Sequence, residues 1–342
     1  YGKNYGYRSG LNNSMVQHLK DKIKNISKII SLNKNDIVLD IGSNDGTTLK
    51  AFTKNKYKLV GIDPAGAKFR KYYRRDIKLI PDFFSSKKFQ KHFKDKKAKL
   101  ITSFSMFYDL DSPLQFMKDV SNILSKDGIW VFEQSYMPLM LKMNSYDTVC
   151  HEHKEYYALQ QIKWMTDRSG LKIVDVSFND INGGSFSVTV AHSDNKIKQN
   201  PSVEKILNNE KKKNLDNINA YKSFAKRVKN LKKIFKQFLN NAKKEKKLVA
   251  ALGASTKGNV ILQYCGITKK DIKFIGEVNA DKFGCITPGS NIPITKEEDI
   301  IKEKYDYVII LPWHFKNFFL KNKKINKQNL IFPLPKFQII KN

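Results

Sequence analysis

Val38-Leu39-Asp40-Ile41-Gly42-Ser43-Asn44-Asp45-Gly46 is the stretch on which the reading of this 342-residue chain turns. Ile37–Ile41 is apolar apart from Asp40, as a strand buried on both faces is, and Thr47–Thr53 opens a helix behind it. Glycine at such a strand-to-helix turn lets the backbone bend sharply and a ligand come close, beside the free N–H groups of the helix start. The spacing is D-x-G-x-x-x-G, not the G-x-G-x-x-G of dinucleotide enzymes. Working outward, Lys58–Ile62 reads as a second strand ending in Gly61-Ile62-Asp63-Pro64, with an acid 23 positions after Asp40. A carboxylate there can accept from both hydroxyls of a ribose. Taken singly, a strand-end Asp fits an ordinary helix cap as well.

The same alternation continues. Lys99–Ser103 and Ile129–Phe132 read as further parallel strands, and Lys172–Phe178 and Phe186–Ala191 as a late antiparallel pair around Asn182-Gly183-Gly184. Residues 1–35 are a Tyr/Gly-rich loop and a helix over Asn12–Ile30, and residues 36–200 are one α/β domain. From Val203 to Lys247, apolar residues recur every three or four positions among lysines, which predicts one long amphipathic helix in a connector spanning 201–247. That helix packs on a domain or lies on a membrane surface. Residues 248–342 restart the pattern: strands at Val249–Leu252, Phe274–Glu277 and Tyr307–Leu311, and a glycine-bracketed turn, Gly253 to Gly258, before a helix.

Apolar residues make up 41% of the chain and aromatics 12%, enough for large cores and against disorder. No apolar run approaches the ~18 residues of a membrane span, and no signal peptide is visible, so a cytoplasmic protein is expected. Lys and Arg number 63 against 32 acids, a net charge of +31, yet arginine stands only at Arg8, Arg70, Arg74, Arg75, Arg168 and Arg227. Recognition of base edges and phosphates favours arginine forks. The lysines therefore read as a solvated surface in preference to a polyanion site, though anionic small substrates still feel the field. Cys150, Cys265 and Cys285 form no CxxC pair, against a disulfide framework or a four-cysteine zinc site in this chain.

The glycine loop followed by the strand-end acid resembles the S-adenosylmethionine site of class I methyltransferases. The resemblance implies an α/β class I methyltransferase Rossmann-like sheet with antiparallel late strands, plus a smaller second Rossmann-like domain joined by the long helix. Asp40, Gly42, Ser43, Asn44, Gly46, Asp63 and Pro64 would then hold the cofactor, with Phe83 beside the adenine and Ser103 at the end of the fourth strand. A second constellation, Asn144 to His153, ends in His151-Glu152-His153, two imidazoles around a carboxylate. Such a run suits proton transfer near neutrality. A zinc site would need further convergent ligands, and a buried structural role for the histidines is the third reading.

Taken together and in order, Tyr5-Gly6-Tyr7-Arg8-Ser9-Gly10, VLDIGSNDG, FEQSYMP from Phe132, the His-Glu-His run, Asn182-Gly183-Gly184-Ser185 and GASTKGN from Gly253 resemble the sugar C-methyltransferase family over nearly the whole chain. The resemblance implies a cytoplasmic enzyme of deoxysugar biosynthesis. Such an enzyme removes a proton beside the ketone of a nucleotide-diphosphate-linked ketosugar and methylates the enolate with S-adenosylmethionine, releasing S-adenosylhomocysteine. By position, His153 is the base, with Glu152 and His151 orienting it or holding the sugar. Tyr7, or else Tyr5, lines the sugar pocket, with Glu133 and Tyr136 at its mouth beside Asn182, Gly183 and Gly184. Ser255, Thr256 and Lys257 suit the diphosphate, or belong to a fold that only shapes the cleft. No metal, nucleic acid or membrane partner is implied, and monomer and homodimer both stay open.

Departures are visible too. Many members carry an amino-terminal zinc module with paired cysteines; this chain opens on Tyr1, and such a module is expected either upstream or not at all. Many also place a histidine where this chain has Tyr108-Asp109, and some a tyrosine in place of Cys150, which bears on the sugar and the carbon methylated. Two other activities share the cofactor motif. O- or N-methylation of a metabolite would use the His-Glu-His run to deprotonate a hydroxyl. A nucleic-acid methyltransferase would show an Asn/Asp-Pro-Pro-aromatic turn after the fourth strand, where Ser103-Phe104-Ser105-Met106-Phe107 stands instead. A non-enzymatic binding module is the least consistent with an intact cofactor motif.

Overall fold

The computed structural model describes residues 6–322, 325 and 328–341. They form two compact units that do not follow chain order: the first takes residues up to Ser135, Lys154–Asn179 and Ser185–Lys212, the second Tyr136–His153, Asp180–Gly184 and everything after Lys212.

In the first unit, α1 (Asn13–Ile26) buries Leu19, Ile23 and Ile26, one stripe at helical spacing. Asn12 caps it by accepting from the Ser14 N–H at 3.0 Å. It stops short of the expected Ile30, where the Ser27 hydroxyl turns back to the Ile23 carbonyl. The strands are β1 (Ile37–Ile41), β2 (Lys58–Ile62), β3 (Ile77–Ile80), β4 (Ala98–Phe104), β5 (Leu124–Ser135), β6 (Leu171–Asn179) and β7 (Ser185–His192). Every residue of β1 is buried, the burial expected of a central parallel strand. The sheet runs β3-β2-β1-β4-β5-β7-β6, parallel through β5, with β7 antiparallel between β5 and β6. Strand order reverses at β1, so the loops leaving β1 and β4 part and open a crevice at their carboxyl ends. One hydrophobic cluster gathers Ile23 and Ile26 of α1 with Val38, Leu49, Val131 and Val174. Elsewhere Trp130 and Phe132 stack 4.4 Å apart beside Phe107 and Phe116.

The expected long connector helix is two helices, α2 (Ser202–Lys212) and α3 (Ile218–Lys244). The break falls where Asn214 takes a positive φ of 47° and Asn217 caps α3 by accepting from the Asn219 N–H. Within α2, Glu210 is buried, and its carboxylate receives the N–H groups of Leu159 and Gln160 at 2.8 and 2.9 Å.

The second unit repeats the winding. Its strands are β8 (Val249–Leu252), β9 (Ile275–Glu277), β10 (Ile294–Lys296), β11 (Tyr307–Ile310), β12 (Asn329–Phe332) and β13 (Gln338–Ile340), in the order β10-β9-β8-β11-β12-β13, with only β13 antiparallel. Val228, Phe235, Leu239 and Ala242 of α3 share its core. Helix α4 (Thr256–Cys265) follows β8 and is capped by Ser255, whose hydroxyl accepts from the Gly258 N–H at 3.1 Å. Residues 136–153 are fastened into this unit by Arg227, which donates to Asn144 and to the Leu141 carbonyl, and by Asn144, which donates to the Pro335 carbonyl. Among the described residues, no helix is long and apolar enough to cross a membrane.

Candidate functional site

Two centres emerge, one in each unit. The first sits at the carboxyl ends of β1 and β2. Gly42 and Gly46 both hold φ at +73°, a conformation open to glycine, and a Cβ on Gly42 would press on the Met106 side chain at 3.1 Å. Tyr73 pins the loop between them: its hydroxyl donates to the Asn44 carbonyl at 2.8 Å and so accepts from Ser43, also at 2.8 Å. Gly61 makes room for this contact, since a Cβ there would lie 2.5 Å from the Ser43 hydroxyl.

The carboxylates divide the work. Asp40 is buried and accepts from Thr102 at 2.6 Å; burial, with the Asp63 charge adding to it and the Thr102 and Thr48 hydrogen bonds opposing, pushes its carboxyl up to about 7. Asp63 receives the N–H groups of Asn44 at 2.7 Å and Ala65 at 2.6 Å, and burial raises it against both. Each of its oxygens keeps a lone pair for a further donor. Asp45 takes Thr47 on one oxygen and the Gly10 N–H on the other, while Asn44 accepts from the Ser9 N–H and donates to the Tyr7 carbonyl, with the Gly10, Ser9 and Tyr7 contacts each at 3.0 Å. The segment 7–10 is thereby laid along the loop, with the Arg8 guanidinium 3.9 Å over the Tyr72 ring.

Of the remaining expected cofactor residues, Pro64 follows Asp63 in the turn and Phe83 projects with 60% of its surface exposed. Ser103 faces inward: it is fully buried and its hydroxyl accepts from the Trp130 indole at 3.0 Å. Glu133 too is turned away from solvent, at 3% exposure. His18 Nε2 and Lys22 Nζ both approach it at 2.6 Å, and the Asn179 amide donates at 2.8 Å. Burial favours its protonation, but the two α1 side chains outweigh that and hold the carboxyl below its usual range.

The second centre surrounds the His-Glu-His run. Tyr146–Thr148 form a short 3-10 turn against which α4 packs, and Asp147 and Thr148 in it are buried. Asp147 Oδ2 accepts from the Trp313 indole at 2.8 Å. Lys257, at the second position of α4, acts electrostatically on Asp147, His153 and His314. The His153 ring is hydrogen-bonded to the Thr148 backbone; burial, then Lys257, brings it down to about 4, with His151 adding in the same sense. Burial and Lys257 likewise bring His314 down to about 3. Burial works against charge on both Asp147 and Lys257, and each partner's charge works to restore the other's. His151 is exposed, with Glu152 and His153 half-buried.

Tyr136 is buried, and its N–H donates to the Gly184 carbonyl. Gly183 has a φ of +85°, and a Cβ on it would meet the Trp313 ring at 2.9 Å, while Asn182 lies in the short turn before it. Next to α4 is a cavity of about 260 Å³ lined by Ser255, Thr256, Asn259, Lys282, Thr287 and their neighbours, in which Lys282 donates to the Ala254 carbonyl at 2.7 Å. Tyr7 is 48% exposed in the first unit, and Tyr5 lies outside the described residues. Among the described residues, no three His, Cys, Asp or Glu side chains are grouped to hold a metal.

Sequence reasoning passed over Tyr73, Thr102 and Met106, which act on the first loop from far along the chain, and Asp147, Trp313 and His314 at the second centre. Asp147 stands inside the quoted run; the Trp-His pair just beyond β11 was the one local signal for the other two.

Residues 12–176 match the model of a methyltransferase domain family, and residues 180–335 that of the C-methyltransferase C-terminal domain. Over 340 residues the chain is 28% identical to C-methyltransferase NovU of Streptomyces niveus, with 98% of this chain and 81% of that protein covered. Solved structures similar to it include an S-adenosylmethionine-dependent methyltransferase from Clostridium acetobutylicum (TM-score 0.38, 18% identity, 52% of this chain and 92% of that one). The plantazolicin methyltransferase BpumL in complex with SAH is another (TM-score 0.41, 12% identity, 54% and 88% covered).

Proposed function

From the premise that the chain belongs to the S-adenosylmethionine-dependent C-methyltransferase family, we propose that it methylates the carbon next to the ketone of a nucleotide-diphosphate-linked ketosugar, in the cytoplasm, through an enolate made by His153. The observation that carries the reading is the state of His153. The ring is bonded to the Thr148 backbone, and burial, then Lys257, keep it unprotonated down to about pH 4, so that at neutral pH it carries a lone pair. An unprotonated imidazole is the form that can take a proton from carbon.

The first centre fits the methyl donor. Gly42 holds a positive φ where a side chain would press on Met106, the backbone of Ser43 to Gly46 turns at the strand ends, and Asp63 offers its remaining lone pairs to ribose hydroxyls. Phe83, exposed after β3, suits the adenine face. When bound, S-adenosylmethionine supplies a methyl group on a positive sulfur, and the chain's part is to hold it and keep the carbanionic partner in place. Tyr7, Glu152, His151, Tyr136 and the Asn182-Gly183-Gly184 turn are the proposed sugar contacts. Thr256 and the free N–H groups that Ser255 leaves at the start of α4 are the proposed diphosphate contacts, since a helix amino end favours an anion.

The test is solvent exchange. Incubated in deuterated water with a 4-keto nucleotide sugar, the protein should exchange the C–H beside the ketone, and His153→Ala should abolish exchange while S-adenosylhomocysteine still binds. Undiminished exchange in that variant rejects the base assignment. A product methylated on oxygen or nitrogen rejects the reaction class.

A further inference from the structure

The segment that bears the base is pinned to the second unit at a series of points, and the series ends before the base is reached. Arg227 donates to the Leu141 carbonyl and to Asn144, and Asn144 donates to the Pro335 carbonyl. Tyr146 comes next: its ring centre lies 5.0 Å from that of Tyr264, and its hydroxyl is 3.5 Å from the Cys265 thiol, both at the end of α4. Asp147 is the last of these points. It is fully buried, and its Oδ2 accepts from the Trp313 indole at 2.8 Å, while Oδ1 has no hydrogen-bond partner among the described residues. Trp313 opens the short 3-10 turn after β11 and is buried too, its ring set where a Cβ on Gly183 would come within 2.9 Å. Past Asp147 the chain heads outward, with Val149 and His151 exposed. Short turns carry it to the base: the Thr148 N–H donates to the Ser145 carbonyl at 3.1 Å, Cys150 to Thr148 at 3.0 Å and His153 to Cys150 at 3.2 Å. The His153 ring is in turn bonded to the Thr148 backbone, one residue from Asp147.

We propose that Trp313 is a positioning residue for the base: its indole N–H, by holding Asp147, fixes the turn from which the His153 ring is presented to the sugar. The inference rests on the reaction proposed above. In that reaction the C–H electron pair becomes the enolate double bond, the ketone oxygen takes the negative charge, and His153 takes the proton. Removing a proton from carbon demands a ring nitrogen held close to the C–H and in line with it, so the anchor of the ring bears on the rate of that step. Packing alone does not call for an indole here, since a phenyl ring would occupy much of the same space beside Gly183. What phenylalanine lacks is the N–H. A buried carboxyl robbed of a donor is drawn toward water, and the turn that carries it would take Thr148 to His153 along.

The experiment has two arms on the full chain: backbone amide hydrogen exchange over residues 148–153 without ligands, and deuterium uptake from solvent by a 4-keto nucleotide sugar. Trp313→Phe should speed amide exchange at Thr148 and His153 several-fold. It should also lower kcat for sugar deuteration by about tenfold or more, with KM moving less than about twofold. Asp147→Leu, which offers the indole no acceptor, should behave in the same way. Asp147→Asn, whose amide oxygen can still accept from the indole, should keep most of the protection and most of kcat. Wild-type values of both in Trp313→Phe overturn the proposal; should that variant fail to fold, wild-type values in Asp147→Leu overturn it equally. A loss that falls on KM with kcat intact makes Trp313 a wall of the sugar site and also overturns it, as does Asp147→Asn being as impaired as Asp147→Leu. Wild-type protein that deuterates no sugar would sink the reaction and leave the amide arm to decide the anchor, whereas wild-type deuteration with both arms unmoved in the variants would sink this inference alone.

Discussion

Asp40 shows how a single buried carboxyl serves the loop above it. It lies under the glycine turn with 2% exposure, held by Thr102 at 2.6 Å. Burial is the main reason its carboxyl titrates near 7 and not near 4. Below about pH 7 a protonated Asp40 spares the loop a second anion close to Asp63, which receives the N–H groups of Asn44 and Ala65. The consequence for stability has a definite sign. Between about pH 4 and pH 7 the folded chain keeps a proton here that the unfolded chain releases, so this residue's contribution declines as pH rises through that window and is level above it. Asp40→Asn removes the titration while keeping an acceptor for Thr102. The gap in unfolding free energy between variant and wild type should therefore widen in the variant's favour across pH 4–7, by about 1.4 kcal/mol per unit at most. Urea melts at four or five pH values measure it, and a gap independent of pH contradicts the assignment.

At the scale of elements, α1 is held less by its helical propensity than by one carboxylate at the end of β5. His18 and Lys22, one turn apart on α1, both reach Glu133, which lies 115 positions on from His18. The loop that precedes α1 lies along Asn44 and Asp45, so the anchoring of the helix bears on the cofactor loop. Glu133→Ala takes from the half-buried Lys22 and His18 side chains the carboxylate they share; breaking a buried ion pair on one side costs about 3–5 kcal/mol. The expected outcome is faster hydrogen exchange through Asn13–Ile26 and weaker S-adenosylhomocysteine binding, and unchanged protection of α1 would count against the anchor. This element also marks what was legible in the sequence. The stripe Leu19, Ile23, Ile26 and the strand-turn-helix at Asp40 are local patterns, and both the parallel sheet and the glycine loop followed from them. That Glu133 would be occupied, that Ser103 would face Trp130, and that Tyr73 would pin Asn44 are long-range pairings with no local trace. The break between α2 and α3 was hidden for a different reason: the apolar period runs on through Leu215 and Ile218, and only the backbone at Asn214 departs from it.

Across the whole molecule two features recur. Each unit winds its parallel strands in the same order around a central strand, and each of those strands ends in a positive-φ glycine, Gly42 at +73° and Gly253 at +87°. The chain thus presents a tight turn and a following helix start twice, one suited to a nucleoside held by a carboxylate and the other to an anion. Over both lies the excess of 63 basic over 32 acidic side chains. Several ion pairs among described residues involve well-exposed partners, too weak in water to absorb such an excess. The net field attracts anions from a distance without specifying them, and a nucleotide-linked sugar carries two charges on its diphosphate. Such steering acts on encounter and not on the bond-making step. Raising ionic strength from 10 to 150 mM shrinks the screening length from about 30 Å to about 8 Å. kcat/KM for the nucleotide sugar should accordingly fall several-fold while kcat holds. A kcat that falls in parallel would place the lysines' effect in the chemical step. A far steeper fall in binding to RNA or DNA, accompanied by its methylation, would identify the polyanion as the substrate and the sugar as a bystander.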